Sequence, residues 1–587
     1  MKKVIIFGLF ALMASVSLTS CEDAFGDFLD KQPSNELTEE QVFSGWNLMV
    51  QFHIDTYNFL RHGANRINGS WLDAATDLAQ TSVYYGGTRT TFNIGNYYGG
   101  GGYNELSSTW EHYYRAIRKC NMIITRIETV PKEPSLSDTQ YEQDKLNYLS
   151  EARFLRAYFY WELFLRYGAI PIVKEVLEPD GDLLTNYTSR PTVKQYVVDF
   201  ILKELEECEQ GLLTYADAWA SSRSGRIGQP IARALHSRIM LYMASPRYSA
   251  DSGISWQAAA DAAKSFIDDY GANFSLFKDP DGIVHPYTNA LLRTAYQGSN
   301  KEVIFYRNDA TVGWGAIYID SPVGEGGYGG NCPSQNLVDM YDMADGSSPF
   351  AEYDATGAPV YPGGATVPAI NTASGYSDAA PWTGRDPRLA ATVLYQGVNW
   401  GNGVIDVRLG QRDNPVGNTN ATPTGYYVRK YIPESILAAE HSQSAYRLWT
   451  FIRYAEILLN YAEAMNEAYG PCLEVYDMLD LIRQRAGISG TVADRSDLTA
   501  SKEKMRNFIR KERTVELAFE EHRPWDLRRW NVAVEALSRP VYGVNVSADG
   551  TITRKLAQER IFENKMYLYP IPEGEVWKTN IENNPGW

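Results

Sequence analysis

The chain has 587 residues, 13% of them aromatic, and its 71 acidic side chains against 55 basic ones leave a net charge of −16. A chain of this length can bury a large core and has room for more than one domain. So acidic a balance, with no basic stripe, argues against nucleic acid as a partner, and charge spread along the whole sequence marks a solvated surface rather than an acidic tail.

The N-terminus reads as a targeting segment. Lys2 and Lys3 precede an apolar run from Val4 to Val16 that is too short to span a membrane. Leu18-Thr19-Ser20-Cys21 then fits a bacterial lipoprotein box, with residues 1–20 as signal peptide and Cys21 as the acylated first residue. Acyl chains anchor a protein without a transmembrane helix, each buried methylene contributing roughly 0.8 kcal/mol. The other cysteines, Cys120, Cys208, Cys332 and Cys472, form no CxxC or metal-like cluster. They read as small buried hydrophobes, with a disulfide left open.

Helical signals begin at Leu37, where Thr38 and Gln41 have the spacing of a capping box, and continue to about Leu60. Asp73 and Asp77 follow at helical i,i+4 spacing and read as a solvated face or a cap. Residues 81–103 then lose all periodicity: TSVYYGGTRTTFNIGNYYGGGGY is dense in Gly and Tyr. Tyr84, Tyr85, Tyr97, Tyr98 and Tyr103 are candidate platforms for the apolar face of a sugar ring, with Arg89, Asn93 and Asn96 for its polar edge; plain packing of each tyrosine is the alternative.

Helical spacing returns at Trp110 and again over Leu146–Tyr167. There Ala152, Leu155, Phe159 and Leu163 make one apolar stripe, and Tyr158, Trp161 and Leu165 a second. A helix apolar on two sides packs on two sides, as in a stack of helices. Arg153, Arg156 and Glu162 interrupt the stripes and need partners if buried. Gly168 and Pro171 end this helix. Further helices are predicted over Val193–Leu212, Pro230–Met243, Ser255–Tyr270, Leu448–Asn466, from Pro471 to near Gly487, and over Met505–Glu521. In the last, Glu512, Glu516 and Glu520 resemble catalytic carboxylates, but interleaving with Arg510 and Arg513 favours structural ion pairs.

Residues 271–444 are rich in Gly, Pro, Asn and aromatics, too long for a loop, and read as an irregular inserted subdomain. A strand is predicted at Glu302–Tyr306 and a short helix at Pro333–Tyr341. Between them lie Trp314, Tyr318 and Tyr328; Trp314, between two glycines, is the strongest single aromatic candidate. Gly324 to Gly329 fits GxGxxG but has no βαβ unit around it, so dinucleotide binding is rejected. No metal site and no cofactor motif is found.

Several segments together resemble the SusD/RagB family of glycan-binding surface lipoproteins: the helix ending in RYGAIPIV, CPSQNLVDMYDMADG, Arg385-Asp386-Pro387-Arg388-Leu389, GYYVRKY at 425–431, MYLYPIP at 566–572 and NNPGW at the end. The resemblance implies a mainly α fold of four tetratricopeptide-like helix pairs with a loop-rich subdomain inserted. It divides the chain into 21–270, a helical part carrying the glycan-facing loop 81–103; 271–444, the ligand-binding subdomain; and 445–587, the last helical pair and C-terminal segment. It further implies a non-catalytic role at the outer membrane, with glycan on the loop side and a SusC-like TonB-dependent transporter on the helical side. The site windows it points to hold Tyr84, Tyr85, Asn93, Asn96, Tyr97, Tyr98, Trp314, Tyr318 and Tyr328. A peptide-binding member of the family and a lipoprotein glycoside hydrolase are the alternatives; the second needs a facing carboxylate pair that no segment sets apart.

Overall fold

The computed structural model describes residues 37–587 apart from 64–65, 84–86, 102–104, 178–180, 182–186, 221, 224, 279–299, 310–318 and 433–446. Trp46–Thr56 forms helix α1, after a one-turn helix opened by the predicted Thr38–Gln41 capping box. The two-striped sequence forms α3, Asp138–Tyr167, starting eight residues before the predicted Leu146 because Ser137 accepts the Gln140 N–H and caps it. Gly168, at φ +73°, ends it by donating to the Phe164 carbonyl.

Both stripes of α3 are buried: Leu155, Phe159, Leu163 and Trp161 have no exposed surface. Each such side chain contributes about 1.5–3 kcal/mol on burial. One side of α3 packs on α2 (Ser107–Arg126), the other on a helix that is π-helical over Lys194–Leu202 and becomes α4 over Lys203–Glu209. The interrupting charges find partners there. Arg153 and Arg156 both reach Glu204, at 3.0 and 2.7 Å, and Glu162 accepts from Tyr113 and Arg166.

The stack continues through α5 (Gln229–Ala244) and α6 (Trp256–Tyr270) to α7 (Tyr454–Tyr469), which joins it although the irregular segment separates it in sequence. Helices α8 (Leu473–Arg485) and α9 (Lys502–Glu516) close on α7. This is a fold of tetratricopeptide-like helix pairs, as expected. The predicted helix Leu448–Asn466 is corrected in its first turns: 447–453 is a strand. That strand pairs antiparallel with Val303–Asp309, Val303 opposite Arg453 and Tyr306 opposite Thr450. A short apolar run is ambiguous between helix and strand until a partner decides. A single apolar core includes Trp161 of the stack and Leu337 and Tyr427 of the irregular segment.

Asp73 and Asp77 are buried rather than solvated. Asp73 accepts the backbone N–H groups of Phe519 and Glu521, which both have positive φ, and Asp77 pairs with Arg523 at 2.7 Å. Cys120, Cys208 and Cys332 are buried free thiols, and Cys472 is half-buried and free. Ion pairing of Glu512, Glu516 and Glu520 is as predicted, but not with Arg510 and Arg513. Glu512 and Glu516 hold Arg388 at 2.6 and 2.9 Å, and Glu516 and Glu520 hold Arg453 at 2.6 and 2.8 Å. The correction follows from burial: these carboxylates point into the core, where only distant segments supply cations. Arg510 instead donates to the Ala355 carbonyl and Arg513 pairs with Asp526.

Candidate functional site

The described ends of the two sequence windows singled out above, Ser82 and Tyr328 to Gly330, meet at one end of a two-stranded ribbon. Strand β1 (Ala79–Thr81) pairs antiparallel with β2 (Asn331–Pro333), Thr81 opposite Asn331. The ladder runs one step further, Ser82 N–H donating to the Gly330 carbonyl at 2.9 Å, and the Ser82 hydroxyl donates to the Tyr328 carbonyl at 2.9 Å. The chain after β1 and the chain before β2 therefore leave the same edge. Asn331 fixes the other side of the ribbon, accepting the Trp71 N–H at 3.1 Å and donating to Asp320 at 2.7 Å.

Glycine is required at this edge. Gly329 has φ +72°, and a Cβ there would drive into the Asn420 carbonyl oxygen. The turn 323–326 is braced from the irregular segment: Arg412 pairs with Glu325, and the Asp413 carboxylate accepts the Gly324 N–H at 3.1 Å. This explains the glycine-rich run without a nucleotide.

The predicted residues separate into groups. Tyr97 is 6% exposed, with Phe92 stacked at 4.8 Å and Trp587 at 5.2 Å, so its ring is core and not an open platform. Asn93 is likewise buried, its amide donating to the Ala74 carbonyl at 3.2 Å and to Gln80 at 3.0 Å. Tyr98, its neighbour in sequence, is 59% exposed, and Asn96 is exposed. Tyr328 is half-buried at the ribbon edge. Tyr84, Tyr85, Trp314, Tyr318 and the lipidation candidate Cys21 lie outside the described residues.

Residues the sequence did not single out come from the C-terminal hairpin of β3 (Val541–Val546) and β4 (Ile552–Gln558). The Gln558 amide donates to the Arg89 carbonyl at 2.7 Å, and buried Arg560 donates to the Ala79 carbonyl at 2.8 Å and to Gln80 at 3.0 Å. No local pattern announces them, because they belong to the site only through side-chain hydrogen bonds to strand β1 and to Arg89, far away in sequence.

The carboxylates that resemble a catalytic set face the core instead. Burial alone would raise the Glu516 pKa, but Arg485, Arg453 and Arg388 outweigh it and hold the group well below the usual carboxylate range. It is a fixed anion in a structural lattice.

A stack of helix pairs leaves its connecting loops free to carry function. The chain belongs to the SusD family: the family model matches residues 290–587, and a second, described as "Starch-binding associating with outer membrane", matches 27–241. A SusD-like protein of Formosa agariphila is 23% identical over 452 residues, 74% of each chain. Among solved structures, a SusD-like protein from Bacteroides fragilis superimposes with a TM-score of 0.75 at 25% identity, covering 95% of this chain and all of the other. A SusD-like carbohydrate-binding protein of the same organism gives 0.71 at 22% identity, over 92% and 99%.

Proposed function

We propose that this protein is a non-catalytic glycan-binding lipoprotein of the outer membrane. In this reading Cys21 carries the lipid, the loop edge captures an oligo- or polysaccharide outside the cell, and the protein delivers it to a SusC-like TonB-dependent transporter docked on the helical side. The observation that carries the reading is the β1–β2 ribbon, at whose end Ser82 of the first window is hydrogen-bonded to Tyr328 and Gly330 of the second. Tyr98, an aromatic ring, and Asn96, an amide two residues before it in the first loop, are both exposed. An apolar ring face next to hydrogen-bonding groups suits a sugar, whose C–H face is apolar and whose rim is polar. Family membership and the description of one B. fragilis neighbour as carbohydrate-binding support the same reading. No helix among the described residues is long and apolar enough to cross a membrane, which accords with anchoring by lipid.

Titration calorimetry of the purified protein against plant, host and microbial polysaccharides tests this. Saturable heat with a polysaccharide, lost in Trp314→Ala and Tyr98→Ala and without release of sugar, is the expected result. Sugar release abolished by a single Asp or Glu change would overturn it. Cys21→Ala is expected to move the protein from the membrane fraction to the soluble one.

A further inference from the structure

Buried basic side chains in this fold are generally matched by acids: Arg66 by Glu521, Arg166 by Glu105, Arg529 by Glu463. Where a buried arginine has no acid, as at Arg385, carbonyl oxygens stand in, four of its bonds going to the backbone. The group at the base of the candidate site is different. Arg89, half-buried, has one long bond to the Thr81 carbonyl, at 3.4 Å. Arg560, buried, donates to the Ala74 and Ala79 carbonyls and to Gln80, meets no carboxylate in an ion pair, and its Nε has no partner. Lys555, half-buried on β4, has neither a hydrogen bond nor an ion pair among the described residues.

These cations share one place. Arg89 donates to the Thr81 carbonyl and Arg560 to the Ala79 carbonyl, both in β1, and Gln558 of β4, the strand that carries Lys555, donates to the Arg89 carbonyl. Burial lowers the pKa of all three, Arg560 to about 9, the direction taken by a cation that loses water without gaining enough acid. The carboxylate that acts on Arg560, Asp77, is already bound by Arg523. The acids that hold Arg554, Asp339 and Asp378, cannot serve Lys555, because adjacent residues of a strand face opposite ways. Desolvating like charges together is costly unless an anion completes the set.

We propose that the missing anion comes from the ligand: the glycan held at this edge bears carboxylate or sulfate groups, and Lys555 and Arg89 are the residues that select for them. The proposal rests on the glycan reading of the same edge. It is notable for a chain of net charge −16, whose overall field repels polyanions, so that an acidic polymer would bind only where local charge reverses the sign.

The test is calorimetry of the purified protein with polygalacturonate, a sulfated galactan and neutral laminarin. Saturable binding of one acidic polymer is expected, and which of the two binds separates carboxylate from sulfate. Lys555→Gln and Arg89→Gln should each weaken it by about 10-fold or more while Lys555→Arg retains it. Lys578→Gln, at an exposed lysine paired with Glu575, should leave it unchanged. Thermal melts verify folding, and Arg89→Gln decides if Lys555→Gln does not fold. Binding of laminarin alone, undiminished in both variants, overturns the inference and leaves the glycan reading intact. Equal weakening by Lys578→Gln also overturns it, by showing unspecific attraction. Failure to bind any polysaccharide counts against both.

Discussion

The Ser82 hydroxyl donates to the Tyr328 carbonyl at 2.9 Å across 246 residues of sequence. That bond, with the ribbon behind it, turns two glycine-rich loops into one edge. Its geometry depends on Gly329 at φ +72°, where a side chain would meet the Asn420 backbone. Gly329→Ala is expected to cost about 2 kcal/mol or more, from left-handed strain plus the clash, and to abolish ligand binding. Urea unfolding alongside calorimetry checks both effects; wild-type stability and affinity together would refute the role given to the ribbon edge.

Tyr97 and Tyr98 should behave oppositely. Tyr97→Ala empties a site between Phe92 and Trp587 and is expected to destabilise by about 3 kcal/mol. Tyr98→Ala removes a ring that is mostly in solvent, so the melting curve should not move while glycan affinity falls. A pair of melts and a pair of titrations is enough, and a Tyr98→Ala variant with full affinity would take Tyr98 out of the site.

Glu516 sits among Arg388, Arg453 and Arg485 with no exposed surface. Glu516→Gln keeps the shape but removes the negative charge, leaving buried guanidinium groups short of an anion. A loss of about 3–5 kcal/mol is expected, enough to unfold a marginal domain. Chemical denaturation measures it; a neutral result would mean that Glu302, Glu512 and Glu520 suffice for the cations.

Acid sensitivity should trace in part to Glu463. Burial would raise its pKa, but Arg529, at 2.6 and 2.7 Å, more than offsets this and holds it down to about 2, against an ordinary 4.5. The folded value lies below the unfolded one, so the contribution is complete above pH 4.5 and is lost as pH falls toward 2. Its size is on the order of 3 kcal/mol. Melting temperature followed from pH 6 down to pH 2.5 (~4 points suffice) should fall more steeply in wild type than in Glu463→Gln.

Local sequence was enough for whatever depends on local periodicity. The stripes of α3, the Gly168 stop, the capping box at Thr38 and the Ala-rich α6 are all set by spacing along the chain, since burying an apolar face and capping a helix end require only neighbours within a few turns. Residues 81–103, which show no helical period in sequence, nevertheless form a π-helical turn over Thr88–Phe92, so their local pattern did not settle their structure. Partners were decided by tertiary structure. Arg447–Arg453 is a strand because Val303–Asp309 lies beside it, and α7 stacks on α6 across the irregular segment. Glu516 ignores its helical neighbours in favour of Arg388, Arg453 and Arg485. Adjacent Tyr97 and Tyr98 are chemically identical in sequence, and only the packing of Phe92 and Trp587 makes one core and leaves the other open. Arg560 reaches the candidate site for the same reason, through side-chain bonds to Ala79 and Gln80, hundreds of residues away. The periodicity of a segment encodes which face will be buried; what covers that face is fixed by long-range contacts that no local pattern contains.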